Sequence, residues 1–504
     1  MSSNSFRDSL IVIIDTSRTL IRAGHGLHDL LRTPSVTLTA RVGLRRTVNG
    51  DAQQVNGDAS GETSASTSKL PELSVKVTDY LVGAQLDEAL AAGQEIDLYW
   101  PFSEGEVSDW TQAEALWKHT LFSLLHLRRI QMESPVLLTF FPSLSRSTYQ
   151  RLSQLFFERF NVAAFSILER PIAQFYAALT SNTDLSGLVV DIDDRSTDIY
   201  PIHDNLLIHN AHVVVDYGIR DCEHYLAHLL LSNSSVVSTL SPAENPLSSE
   251  QLHETLVEVA RQVWQEGLVK VLAEGEAADL DDEGVTDIAA VVVAGKEKAV
   301  IESSLKKRAS QKASAAEQAR AKEIEALDLV TIEFKGKSLT LGKERHRFCE
   351  PLFDPSLLRE IPGIPEKTRG QASVLPLQNA VGHAVSLTEV DARQYIYQGL
   401  FVTGELTNHI KGLGAALQTR LAPFILSTVD QQNEVQPKGI RVLKISEYFA
   451  EYREKGDGLA AFLGASIIAK ITFVNDSSGK NFVSKADYAE KGPKAIIEMS
   501  PALL

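Results

Sequence analysis

The chain has 504 residues, 44% hydrophobic and 23% charged, enough to bury a large core and to divide into roughly two to four domain-sized units. That apolar content excludes a wholly disordered protein. The net charge of −16 makes the chain a poor sequence-independent DNA binder, because neutralising phosphates needs a basic surface. Any DNA contacts are therefore expected from partners.

The opening MSSNSFRDS is polar and lacks the basic-then-apolar layout of a signal peptide. Leu10–Ile14 is a short apolar run of the buried-strand type that ends at Asp15. Residues 49–70 are low-complexity and turn-rich, which predicts a surface loop. Residues 107–130 carry apolar positions at helical spacing, with Ser108 placed to cap the start. Pro135–Thr139 reads as a buried strand, and 145–160 as a helix with Leu152, Leu155, Phe156 and Phe160 on one face. Gly187–Val190 is a second short strand that runs into acid, at Asp191, Asp193 and Asp194. Two strands that each enter an aspartate-bearing turn suggest an internal duplication. This is the layout of a phosphate-binding α/β fold, whose ligands sit at the carboxyl ends of strands. The stretch 296–327 is rich in Ala, Lys, Glu and Arg without sustained heptads, which predicts a solvated helical insertion rather than a coiled coil.

Other chemistry is thin. Cys222 and Cys349 form no CxxC pair, which suggests neither a disulfide framework nor a zinc site and fits a reducing compartment. His203, His209 and His212 fall on predicted strands around a turn, and His224 and His228 share a helical spacing without an HExxH glutamate. Both groups read as ordinary surface histidines, and no metal site is expected. The longest apolar runs, such as Leu10–Ile14 and Ile288–Ala294, are too short to cross a bilayer.

Several segments resemble actin in collinear order: IIDTSRTLIRAG (13–24), WPFSEGEVSDWTQAEALWKHTL (100–121), SPVLLTFFPSLSR (134–146), FFERFN (156–161), VVDIDDRSTDIYPI (189–202), DYGIRDCEHYLAHLL (216–230), KSLTLGKERHRFCEPLFDPSLL (337–358), LFVTGELTNHIKGL (400–413) and FLGASIIAKITF (462–473). The aromatic-rich ISEYFAEYREKGDG (445–458) ahead of FLGA is similar to the class-nine actin-related proteins of fungi. The resemblance implies an α/β, actin-like architecture (the actin/Hsp70/hexokinase ATPase fold) with two lobes and four subdomains. Subdomain 1 would take 1–33, 94–177 and 459–504. A remodelled subdomain 2 would take 34–93 with the loop 49–70, subdomain 3 would take 178–217 and 377–458, and subdomain 4 would take 218–376 with a charged insertion at about 270–330.

The same resemblance places a nucleotide pocket at Asp15, Ser17, Arg18, Arg22, Asp191, Asp194, Arg195 and Gly404, and that pocket is degenerate. Actin's first loop, Asp-Asn-Gly-Ser-Gly, is here Asp15-Thr16-Ser17-Arg18-Thr19, and its second, Asp-Ser-Gly-Asp-Gly, is Asp191-Ile192-Asp193-Asp194-Arg195. The lost glycines let bare backbone N–H groups approach phosphates. Asp193 adds a carboxylate, which about 4 Å from a phosphate costs ~1 kcal/mol in water-like dielectric. Arg170 stands where actin has the glutamine that positions the attacking water, and Glu405 replaces a glycine of the adenine-side loop. Rapid ATP turnover is not expected, and no cofactor is expected, although the surviving aspartates allow residual ATP binding.

In the actin fold a hydrophobic cleft accepts amphipathic helices, and its lining corresponds to Tyr176, Leu463, Ile467, Ile468 and Ile471. The implied function is a nuclear, non-catalytic subunit of a SWI/SNF-type or RSC-like chromatin remodelling complex. It would pair with a second actin-related protein, bind the helical HSA segment of the remodelling ATPase, and meet other remodeller subunits, without contacting nucleic acid or membrane directly. The alternatives are a structural subunit of the dynactin pointed end and a weak actin-type ATPase.

Overall fold

The first apolar run forms strand β1, Val12–Thr16, and all five of its residues are buried. A strand covered on both faces must be apolar at consecutive positions, and this one is until Asp15. In the computed structural model the described residues are 6–27, 31–46, 75–180, 183–271, 328–359, 361, 364, 374–425, 437–474 and 481–499. The chain divides into two compact units, Met1–Arg170 with Ala465–Leu504, and Pro171–Gly464. The expected surface loop 49–70 and the expected helical insertion 296–327 lie outside the described residues.

In the first unit, β1 turns back into antiparallel β2 (Leu20–His25), which pairs with β3 (Val36–Thr39). A separate small sheet sets β4 (Val42–Arg45) between β5 (Leu81–Val82) and β6 (Ile96–Tyr99). On its other side β1 is parallel to β7 (Pro135–Phe140), and β7 is parallel to β8 (Ala164–Glu169). The C-terminal pair Val483–Ser484 closes this six-stranded sheet against β8.

Helix α1 (Trp110–Lys118) is capped by Asp109, whose carboxylate accepts the amides of Thr111 and Gln112. The expected cap, Ser108, instead gives its hydroxyl to the Pro101 carbonyl. An aspartate beside a serine is an equally good cap, and the one in extended backbone with free amides ahead of it wins. Helix α2 (Arg146–Gln154) is capped by Ser145 and continues into a π-helical turn, Leu155–Arg159. Its expected apolar face, Leu152, Leu155, Phe156 and Phe160, is buried. The core there is aromatic: Trp117 packs on Phe102, Phe140 and Phe156, and its indole N–H donates to Thr16 Oγ1 at 3.1 Å.

The second unit repeats the same local plan. Helix α3 (Arg170–Ala178) leads to β9 (Gly187–Ile192), which is antiparallel to β10 (Thr197–His203) and parallel to β15 (Leu400–Gly404). The small strands β11 (Leu206–Leu207) and β12 (Val213–Val215) extend β10, and β13 (Val330–Phe334) with β14 (Lys337–Leu341) form a separate hairpin. Helix α4 (Ile219–Leu230) is stapled to α5 (Ser249–Gln265) through buried Glu223, which accepts two hydrogen bonds from Arg261 and one from the Trp264 indole. His224 departs from its reading as a solvated helix position. It is buried, with its ring stacked on that of His253 at 5.3 Å, and burial lowers its pKa to about 4, the neighbouring His253 charge adding to the effect. His228 is exposed as expected.

Described residues on either side of 272–327 are tied together. The Lys270 amide donates to His346 Nδ1, His346 Nε2 donates to the Asp328 carboxylate at 2.8 Å, and Arg345 reaches the same carboxylate at 2.9 Å. Burial works to raise the Asp328 pKa, but the hydrogen bonds from His346 and Arg345 outweigh it and hold the carboxyl well below the usual range.

Helix α6 (Ala460–Phe473) meets α3 at Gly464, where an added Cβ would lie 1.7 Å from the Ala173 carbonyl oxygen. Backbone in such close approach leaves no room for a methyl group, and overpacking of this kind typically costs about 1–3 kcal/mol or more. Gly464→Ala is therefore expected to lower stability by at least that amount in denaturant unfolding.

Candidate functional site

Both aspartate-bearing loops are the turns of β-hairpins. In the first unit Asp15 of β1 lies directly opposite Arg22 of β2. Its carboxylate is 1% exposed. Oδ1 accepts the Thr139 hydroxyl at 2.8 Å and Arg170 Nε at 3.0 Å, and Oδ2 is 3.8 Å from Arg22 Nη1. Ser17 closes the turn on itself: its amide donates to the Leu20 carbonyl at 2.8 Å, and its hydroxyl exchanges hydrogen bonds with the Leu20 backbone at 3.1 Å. Arg18 lays its guanidinium over the Phe141 ring, 5.7 Å from the centroid. The structure thus gathers Asp15, Arg22 and Arg170 into one buried cluster and commits the Ser17 donors to the turn.

In the second unit Asp191 is buried and accepts Gln174 Nε2 at 2.8 Å. Directly across β10 stands Asp198, also buried. Like charges facing each other across strands repel. His212 relieves the pair, with Nε2 2.9 Å from Asp198 Oδ1 and its ring stacked on Tyr200. In the turn between these strands the carbonyls of Asp193 and Asp194 accept the N–H groups of Ile219 and Arg220, the first turn of α4. The Asp194 amide is taken by the Asp193 carboxylate at 2.8 Å. The side chains of Asp194 and Arg195 face solvent, 42% and 71% exposed, 3.7 Å apart. Gly404 has a structural reason to be glycine, since an added Cβ would stand 2.1 Å from the Ile192 carbonyl oxygen at φ +119°.

The helix-docking positions divide by exposure. Leu463 and Ile468 are buried in α6 and serve the core, Tyr176 and Ile467 are half-buried, and Ile471 is exposed at 39%. Only Ile467 and Ile471, one turn apart on α6, combine an apolar side chain with accessible surface on that helix.

Sequence reading missed Gln174, Thr139, Asp198 and Glu169. Thr139 and Arg170 are 124 and 155 residues from the carboxylate they serve, and no local pattern carries that pairing. Glu169 ends β8 with the Ser143 amide 3.4 Å from its carboxylate, and burial pushes its pKa up to about 7. A carboxyl raised in the folded state binds its proton more tightly there than in the unfolded chain. Its contribution to stability is therefore full below the ordinary pKa near 4.5 and is lost as pH rises through about 7. Glu169→Gln, which cannot ionise, is expected to gain about 2–3 kcal/mol on the parent chain between pH 5 and pH 8, measured by denaturant unfolding at each pH. A difference that does not change with pH would show that Glu169 titrates normally.

Among the described residues no group of three or more His, Cys, Asp or Glu side chains is placed to hold a metal ion, and no helix is long and apolar enough to cross a membrane. The actin family model matches residues 7–500. The chain is 28% identical to the SWI/SNF and RSC complexes subunit arp9 of Schizosaccharomyces pombe, over 98% of this chain and 99% of that protein. It is 22% identical to actin-related protein 2 of the same organism, over 85% and 87% of the two chains. With β-hairpins at both loops, helices around two mixed sheets and a family match from one end to the other, the chain belongs to the actin family.

Proposed function

We propose that this chain is a nuclear, non-catalytic subunit of a SWI/SNF-type or RSC-like chromatin remodelling complex. It pairs there with a second actin-related protein and holds the helical HSA segment of the remodelling ATPase. The observation that carries this reading is the end-to-end similarity to the SWI/SNF and RSC subunit of S. pombe, which covers 98% of this chain and leaves no part of that protein's length unaccounted for beyond 1%. Two further observations support it. The net charge of −16 suits a subunit that leaves DNA to its partners. The site chemistry suits a scaffold: Arg170, where a water-positioning glutamine would stand, cannot accept a hydrogen bond or act as a base, and the Ser17 amide is spent within its own turn.

Ile467 and Ile471 are the positions on α6 that would enter the contact with an amphipathic partner helix, as apolar pockets for its i and i+4 anchors. The test is mild affinity purification of the tagged chain with mass spectrometry of what accompanies it. Recovery of a SWI/SNF-class ATPase together with another actin-related protein is expected, and Ile467→Asp is expected to cut recovery of the ATPase at least tenfold, the cost of burying one carboxylate in an apolar contact. Recovery of dynactin components instead would overturn the assignment. Undiminished recovery of the ATPase with Ile467→Asp would overturn the α6 contact.

A further inference from the structure

The family resemblance implies a magnesium–nucleotide site whose first carboxylate is Asp15, and the residues around Asp15 do not fit it. A hard cation such as magnesium keeps several of its own waters and meets a carboxylate through them or directly, so it needs an open oxygen and room for its hydration shell. Asp15 is instead surrounded by the chain's own donors. Oδ1 already accepts the Thr139 hydroxyl and Arg170 Nε, and Oδ2 faces Arg22. The three charged groups are 1%, 8% and 5% exposed, so the carboxylate is shut off from bulk solvent. Two guanidinium groups, permanently charged at any working pH, lie within 4 Å of it and repel a divalent cation.

We propose that Arg170 is a built-in counter-cation that takes the metal's place at Asp15, so that the carboxyl ends of β1, β7 and β8 are held together without magnesium or nucleotide. The geometry explains why the arginine sits at the first residue of α3. The end of β8 and the end of β1 are separated by β7 alone, and Thr139 of β7 donates to the same oxygen that Arg170 reaches. A side chain starting at that point crosses one strand's width and delivers a planar Nε–H donor to Oδ1. A glutamine there would be shorter and uncharged, and would leave Asp15 to find a cation from solution. The closed Ser17 turn belongs to the same arrangement, because no amide of that residue is left to meet a phosphate. The inference concerns this chain whether or not it serves a remodeller.

The test uses the purified full-length protein and magnesium chloride alone, read by thermal unfolding in chelator and in millimolar magnesium. The parent chain is expected to melt at the same temperature in both. Arg170→Gln is expected to melt lower in chelator and to regain part of the loss when magnesium is added. Adding Asp15→Asn to Arg170→Gln is expected to abolish that response, which separates binding at this carboxylate from general binding to an acidic surface. Should Arg170→Gln fail to fold, Arg170→Lys decides the matter: it keeps the charge and is expected to fold in chelator with no magnesium response. A parent chain stabilised by magnesium as much as Arg170→Gln would overturn the proposal. So would a folded Arg170→Gln that ignores magnesium, or an Arg170→Lys that folds only when magnesium is present.

Discussion

A carboxylate at the end of a fully buried strand has to be neutralised, and much of the first unit is arranged around meeting that need at Asp15. The group is 1% exposed, and an unpaired ion at such a depth is not tolerated. Arg170 from the far end of β8, Arg22 from the facing strand and Thr139 from the strand between supply the partners. A pair of this kind is worth little against a well-packed apolar alternative, but removing one member strands the other and costs about 3–5 kcal/mol.

The second unit meets the same local plan with different chemistry. Its hairpin places Asp191 opposite Asp198, two acids where the first hairpin places an acid opposite a base. Gln174 and His212 are recruited to satisfy them, and the carbonyls of Asp193 and Asp194 in the turn accept from the first turn of α4. In the first unit Asp15, Ser17 and Arg22 are engaged by the chain's own groups, and in the second Asp191 is, while the side chains of Asp194 and Arg195 face solvent.

Local patterns in the sequence gave the strands and helices that line the site well. The apolar runs ending in Asp15 and Asp191, the buried strand at Pro135 and the apolar face of 145–160 are all present, because each is set by neighbours within a turn or a strand's length. What could not be read locally was which group answers which. Arg170 was visible as a lost glutamine, but its pairing with Asp15 spans 155 residues and depends on the order of three strands. The cap at Asp109 in place of Ser108 went with the Ser108 hydroxyl being taken by the Pro101 carbonyl, and the burial of His224 turned on a second helix bearing His253. Leu463 and Ile468 share the apolar character of Ile467 and Ile471, and only the packing of α6 separates core from surface.

The end-to-end similarity to a remodeller subunit, the net charge of −16 and the closed Ser17 turn together support the proposed scaffold role. That role predicts a chain that folds without nucleotide. The most direct measurement is the nucleotide released on heat denaturation of the chain purified without added ATP, quantified by ion-exchange chromatography. Essentially no ATP or ADP per chain is expected. Release of a full equivalent of adenine nucleotide would contradict it, showing that the site around Asp15 opens to a ligand after all.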